Sequence, residues 1–118
     1  MEQARSAAVA AVTAFLQDAE VPFRAVADGE WGLVVDGCEI GLRLSGGLLR
    51  AQAWVAPPGR HDAHALLHAN RLHPLARYAH SSGGDVWVQA EVPQAAAGDP
   101  AALDLLLGTL LEARARLR

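Results

Sequence analysis

Hydrophobic residues near the N-terminus recur at the spacing of an amphipathic helix. Most charged and amide side chains between Glu2 and Ala19 fall outside the face formed by Ala8, Val12, Phe15, Leu16 and Ala19. The helix is predicted to end near Val21, because Pro22 disfavours helical backbone in the residue before it.

From Phe23 to Val55 the hydrophobic period changes to two, the spacing of β-strands. Three turn sequences divide this stretch into three or four antiparallel strands: Asp28-Gly29, Asp36-Gly37 and Ser45-Gly46-Gly47. The segment FRAVADGEWGLVV fits either one long bent strand or a hairpin. Beyond it, apolar Ile40, Leu42 and Leu44 alternate with Glu39, Arg43 and Ser45, which predicts a sheet with one covered and one exposed face.

The second half of the chain returns to helical and then strand patterns. After Pro57-Pro58-Gly59 a short helix is predicted to about Leu72, followed by strands at Leu75–His80 and Val86–Val92. Asp99 is the expected N-cap of a last helix with Pro100 at its first position. One broad face of that helix carries Leu103, Leu106, Leu107, Leu110, Leu111 and Leu117. We therefore predict an α+β fold, an antiparallel sheet of about five strands with three helices, as a single domain over residues 1–118.

Composition narrows the classes of partner. The net charge is -3 and the basic residues are scattered, which argues against nucleic-acid binding. The only local basic run, Arg114, Arg116 and Arg118, suits the C-terminal end of a helix. No segment has the roughly 20 apolar residues that span a bilayer, and Cys38 has no second cysteine to pair with. A soluble cytoplasmic protein without membrane contact is expected.

No pattern of catalytic residues stands out. The chain lacks a GxSxG elbow, a P-loop and a GxGxxG turn, and Cys38, inside a predicted strand, reads as a small buried hydrophobe. We predict a protein that is not an enzyme and that needs no cofactor.

All five histidines lie between residues 61 and 80. His61, His64 and His68 would fall within an arc of about 60° on a helix and could converge on a metal. Ala63, Leu66 and Leu67 lie on the other side of that helix and are expected to contact the core. Without ligands from a second element we predict no metal site, and instead a solvated or interface surface that would loosen as the imidazoles gain charge on acidification.

Two strands place tryptophan on a polar face. In residues 48–55 the alternation sets Arg50, Gln52 and Trp54 on one side, and in VWVQAEV it sets Trp87, Gln89 and Glu91 on one side. Such a tryptophan either packs under a loop or helix or anchors an interface. The shared Trp54/Trp87 face is the best candidate for contact with a partner or a second subunit, and Leu105, outside the leucine face of the last helix, is a weaker one.

The second half resembles known families. The run ALLHANRLHPLARYAHSSGGDVWVQAEVP, followed by DPAALDLLLGTLLEARARL, is similar to the YbjN-like family and, more distantly, to the type III secretion chaperones. Leu66, Leu67 and Asn70 match an LLxxN pattern, Gly83-Gly84-Asp85 a turn, and Pro93 the end of a strand. The resemblance covers about half of the chain by motif and all of it by element order.

The resemblance implies a function in protein binding. It implies a small α+β domain, usually a homodimer, that binds another protein instead of catalysing a reaction, as secretion chaperones hold an extended client segment. An exposed strand edge could take such a segment through main-chain hydrogen bonds. The alternative is a regulatory domain that senses a small ligand or metal through the histidine-bearing helix.

Overall fold

The computed structural model describes residues 2–117, which form three α-helices and six β-strands. In chain order these are α1 (Glu2–Asp18), β1 (Phe23–Ala27), β2 (Glu30–Val35), β3 (Cys38–Ser45), β4 (Leu48–Ala56), α2 (Ala63–Ala69), β5 (Ala76–His80), β6 (Val86–Pro93) and α3 (Pro100–Leu117). The predicted α+β class and element order are confirmed. The sheet has six strands instead of about five, because FRAVADGEWGLVV forms a hairpin.

The strands form one antiparallel sheet in the order β1-β2-β3-β4-β6-β5. The turn between β2 and β3 sets their register. Asp36 and Gly37 have φ of 52° and 75°, the positive angles that a two-residue hairpin turn requires. This turn pairs Val35 with Cys38 and, three residues further from it, Gly32 with Gly41.

One face of the sheet is covered by α1 and α3. Val12 and Leu16 of α1 and Leu106 and Leu110 of α3 are completely buried, together with sheet residues such as Ile40. A further link is made by the Trp31 indole, whose Nε1 donates to Thr13 Oγ1 of α1 at 3.2 Å. The predicted leucine face of α3 therefore packs on the sheet beside α1.

The other face remains open over the middle of the sheet. Along β3, Cys38, Ile40, Leu42 and Leu44 are buried, and the alternate positions Glu39, Gly41, Arg43 and Ser45 are exposed. The predicted division into a covered and an exposed face is confirmed.

Side-chain contacts hold both ends of α3. Asp99 Oδ1 accepts from the amide of Ala101 at 3.0 Å, as expected of the N-cap. In the last turn Arg114 donates to the Trp54 carbonyl at 3.0 Å and Arg116 pairs with Glu112. Arg118, the third member of the basic run, lies outside the described residues. Within residues 2–117 no helix is long and apolar enough to cross a membrane.

Candidate protein-binding surface

The pairing of β4 with β6 brings the six sequence-predicted partner-binding residues together on the open face. Residues 50, 52 and 54 of β4 lie directly opposite residues 91, 89 and 87 of β6, in the pairs Arg50–Glu91, Gln52–Gln89 and Trp54–Trp87. Cross-strand neighbours of this kind have Cβ atoms roughly 5 Å apart. The six side chains therefore form three adjacent rows.

Glu91 is held by two arginines. Arg50 Nε donates to Glu91 Oε2 and Arg77 Nη1 donates to Glu91 Oε1, both at 2.7 Å. The hydrogen bond from Arg77 is the largest cause that lowers the pKa of Glu91; partial burial opposes it and the bond from Arg50 adds to it. Glu91 is therefore ionised in the folded protein at neutral pH.

Sequence reasoning did not include Arg77 in this surface. The signal was the alternation in the predicted strand 75–80, where Ala76 and Tyr78 face the core and Arg77 faces the other way. Since β5 pairs only with β6, Arg77 lies opposite Gln89, beside the predicted rows. The neighbouring row is linked by Gln89 Nε2, which donates to Gln52 Oε1 at 3.2 Å.

The tryptophan pair closes one end of the rows. Trp54 is 41% exposed, a large fraction for an indole, and Trp87 is half-buried beside it. Trp54 Nε1 donates to Asp85 Oδ1 at 3.0 Å, and Asp85 belongs to the turn before β6. The polar end of the Trp54 ring is thus satisfied within the chain, and the rest of the ring presents apolar surface to solvent.

Next to these rows the open face sinks into a hollow of about 750 Å³. Its floor contains Gly32 and Gly41, which are directly opposite each other in β2 and β3. Its walls include Val26 and Val34 on one side and the two tryptophans on the other. The predicted tryptophan face is thus one wall of a larger concave site.

Sequence reasoning missed this hollow. The signal was available, because Gly32 and Gly41 are at outward positions of alternating strands and the two-residue Asp36-Gly37 turn sets their register. Neither glycine has the positive φ that would require glycine for the backbone. A Cβ on Gly41 would meet only Gln52 Cγ at 3.9 Å, so the space above it is empty.

Histidines on α2 do not form a metal site. The helix begins after its N-cap Asp62, so His61 precedes it, and His64 and His68 are exposed on its outer side. Among residues 2–117 no three His, Cys, Asp or Glu side chains are grouped to hold a metal ion. The structure gives no support to a histidine-based sensing site.

The expected core contact of α2 was partly wrong. Leu66 is buried, but Ala63 is exposed and Leu67 is 69% exposed. The helix has only seven residues and packs on β5, so its contact with the sheet is narrow. Leu67, turned 100° from Leu66, falls outside that contact and beside the histidines.

Asn70 ends α2 and protects the edge of the sheet. Its Oδ1 accepts from the Tyr78 amide at 2.6 Å and its Nδ2 donates to the Tyr78 carbonyl at 3.1 Å. The amide side chain thus replaces a neighbouring strand at the centre of β5, which is an edge strand. This is the structural role of the asparagine in the LLxxN pattern.

Tyr78 also joins β5 to α3. Its hydroxyl donates to the Ala113 carbonyl at 2.6 Å and lies 3.3 Å from His73 Nε2. Burial raises the pKa of Tyr78, and the charge of Arg116 opposes that shift.

Leu105 is 61% exposed on the outer side of α3, and Cys38 is buried at the start of β3, as expected for each. The roles of Leu105 and of the tryptophan rows in binding stay predictions.

No protein-family model matches the sequence, and no curated protein is detectably similar to it. Solved structures are similar in fold. The type III secretion chaperone SycH of Yersinia pestis, in complex with a fragment of YscM2, has a TM-score of 0.69 and 14% identity over 94% of this chain and 99% of that one.

Two further chaperone structures are similar. SchA of the HopA1–SchA chaperone–effector complex has a TM-score of 0.76 and 15% identity over 92% of this chain and 91% of that chain. SpcU of the ExoU–SpcU complex from the type III secretion system of Pseudomonas aeruginosa has a TM-score of 0.68 and 20% identity, covering 88% and 92%. The chain has the fold of the type III secretion chaperones, as the resemblance implied. The YbjN-like part of that resemblance stays a prediction.

Proposed function

We propose that this chain is a non-catalytic, chaperone-like domain that holds a segment of another protein on the open face of its sheet. The observation that carries the proposal is the hollow over β1–β4, an uncovered concave site of about 750 Å³ with Trp54 and Trp87 in its wall. Proteins bind partners through buried aromatic anchors surrounded by polar groups, and these rows offer that arrangement.

Two further observations support it. The similar structures SycH and SchA were both solved in complex with another protein. Strand β1 pairs only with β2, so one side of it has main-chain groups to which an extended segment could hydrogen-bond. At the opposite edge, Asn70 already occupies the groups of Tyr78. A client strand is therefore expected at β1, next to the hollow.

We infer that the domain forms a homodimer through α2 and the 3₁₀ turn that follows it. Leu67 and Leu72 are 69% and 65% exposed on this short segment. Full burial of a large aliphatic side chain gains about 1.5–3 kcal/mol of free energy relative to exposure in water. Contact of these two leucines with an apolar partner surface is therefore favourable. This surface is separate from the hollow, so a dimer could still bind its client.

The first test is a pull-down from a lysate of the organism that encodes the chain. Native protein is compared with Trp54→Ala/Trp87→Ala, and with Leu48→Ala as a loss of exposed apolar surface outside the hollow lining. We expect a discrete protein partner that is retained by native and Leu48→Ala and lost by the tryptophan variant.

The captured partner is then purified, and its affinity is measured by calorimetry with the same three proteins after their folding is checked by circular dichroism. Loss of an aromatic anchor pair is expected to weaken binding by about 2 kcal/mol or more, roughly 30-fold. Equal affinity of the tryptophan variant and the native chain would show that the open face is not the binding surface.

A further inference from the structure

The hollow carries more positive charge than the rest of the chain. Its lining contains three arginines, Arg24, Arg43 and Arg50, against the two glutamates Glu30 and Glu39, although the whole chain has a net charge of -3. This local excess is a basis for attracting negative groups to one site on an acidic protein.

These three arginines differ in how far neighbouring carboxylates neutralise their charge. Arg43 pairs with Glu30 at 3.2 Å, and Arg50 shares Glu91 with Arg77. Arg24 of β1 has no carboxylate within ion-pair distance among residues 2–117. Its side chain lies across Gly32, since a Cβ placed there would be 3.3 Å from Arg24 Nε. Its charge is available to a partner at the β1 side of the hollow.

Two of these arginines also face each other. Arg43 and Arg50 are directly opposite in β3 and β4. Like charges in such a pair destabilise a sheet, and a negative group placed between them would remove the repulsion. The positive charge therefore lies along the β1 side and along the row next to the glycines.

The centre of the hollow is open above Gly41, where a Cβ would meet only Gln52 Cγ at 3.9 Å. Above Gly32 lie the side chains of Arg24 and Val26, and beside the glycines Val34 and Val26 are 45% and 56% exposed. Glycine in a strand interior weakens the strand and is typical of places where another molecule approaches the backbone closely. The space above Gly41 is therefore the part of the floor that a client side chain can enter.

We propose that the hollow binds an extended protein segment in which a large apolar side chain, placed over Gly41, is accompanied by an acidic side chain that pairs with Arg24 above the neighbouring Gly32. The proposal rests on the function proposed above and adds the chemistry of the client. Small anionic ligands are a less suitable occupant, because the hollow extends to β1, the edge strand to which a main chain can add.

The probe is a displayed library of random peptides of about ten residues, which at about 3.3 Å per residue is long enough to cross the hollow. The native full-length chain is the bait. We expect the recovered peptides to be enriched in Trp, Phe or Leu together with Asp or Glu at a constant spacing. Recovery of no peptide, or of peptides without acidic enrichment, would overturn the proposal.

The glycine floor is tested with Gly41→Val. Valine suits a strand and there is room for its Cβ, so the variant is expected to be at least as stable as the native chain in urea unfolding. Filling the floor should lower the affinity for the recovered peptides about tenfold or more. Ser45→Val, on the same face of β3 but outside the hollow lining, is the matched control and should bind normally. Equal binding by Gly41→Val would contradict the proposal.

The acidic contact is tested with Arg24→Gln, which breaks no ion pair within the described residues. The variant should bind an acidic peptide about threefold to tenfold more weakly than the native chain does. Its affinity for the same peptide with Gln in place of the acidic residue should be nearly unchanged. Equal loss for both peptides would contradict the pairing. A natural partner that is lost by the tryptophan variant but retained by Gly41→Val and Arg24→Gln would overturn this inference and leave the proposed function standing.

Discussion

Asn70 shows how one side chain can replace a strand. An unpaired main-chain amide or carbonyl on an edge strand is open to another chain, and the two Asn70 hydrogen bonds occupy both groups of Tyr78. The residue was recognised in the sequence only as part of a pattern. Its role required the fold, because Asn70 and Tyr78 belong to different elements that the His73-Pro74 turn brings together.

We predict that Asn70→Ala lowers the free energy of unfolding by about 1–3 kcal/mol, because it leaves part-buried groups of Tyr78 unsatisfied. Urea unfolding gives the change in stability, and hydrogen exchange of the Tyr78 amide reports the local effect. Arg71→Ala, the exposed neighbour, is the control and should change stability by less than about 0.5 kcal/mol. An unchanged exchange rate at Tyr78 would contradict this role of Asn70.

Glu91 lies on the open face and has a pKa that the fold shifts. Its pKa is lower in the folded protein, chiefly through Arg77, so its stabilisation is complete above the ordinary value of 4.5. That stabilisation is lost as the pH falls through the lowered value. The acid limb of stability should therefore contain a contribution from this residue.

We predict that Glu91→Gln lowers stability by about 1 kcal/mol at neutral pH, and that the difference from the native chain shrinks as the pH falls below about 4.5. Urea unfolding at several pH values measures it. Glu112→Gln removes the exposed pair with Arg116 and should have almost no effect at any pH. A difference for Glu91→Gln that does not vary with pH would show that charge is not its cause.

At the scale of elements, α2 differs most from its expected role. Its alternating leucines and histidines suggested an inner and an outer side, but seven residues provide only one buried position, Leu66. A short helix at the edge of a sheet has a narrower contact than a long one across its centre. Leu67 therefore adds to the exposed surface that the histidines occupy.

Two glycines, Gly108 and Gly37, allow the effect of backbone conformation on stability to be separated from the effect of available space. Gly108 lies in α3, and a Cβ there would meet no atom within 4 Å; Gly37 has equal room but a φ of 75°. We predict that Gly108→Ala raises stability by about 0.5–1 kcal/mol and that Gly37→Ala lowers it. Thermal and urea unfolding measure both. Equal effects of the two changes would mean that backbone conformation does not decide them.

For the whole molecule, the distribution of cover over the sheet determines what remains for binding. Helices α1 and α3 occupy one face and leave the hollow on the other, with the β1 edge beside it. The β5 edge is occupied by Asn70, and the exposed leucines lie near that end on α2 and the turn after it. The proposed client contact and the proposed subunit contact therefore lie on different surfaces.

We predict a homodimer that is disrupted by Leu67→Ser/Leu72→Ser, because both substitutions remove apolar surface from the proposed interface. Sedimentation equilibrium measures the dimer constant, and Leu48→Ser, at an exposed leucine of β4 outside the proposed interface, should leave it unchanged. A native chain that remains a monomer at about 100 μM would contradict the dimer.

The sequence by itself determined the local elements and the side of the sheet on which each residue lies. Periods of 3.6 and two, the Asp99-Pro100 start of the last helix and the glycine turns are local signals, and they yielded the order of elements and the rows containing Trp54 and Trp87. The register of Gly32 with Gly41 was also implied by a local turn, although it was not used.

Tertiary structure alone decided which of these residues meet across the sheet. The position of β6 between β4 and β5 brings Glu91 between Arg50 and Arg77, and no local pattern specifies that strand order. Likewise, the hollow exists because two helices cover one face and no described element covers the middle of the other. Packing of distant segments is a property of the whole chain, since burial depends on every element that competes for the same apolar surface.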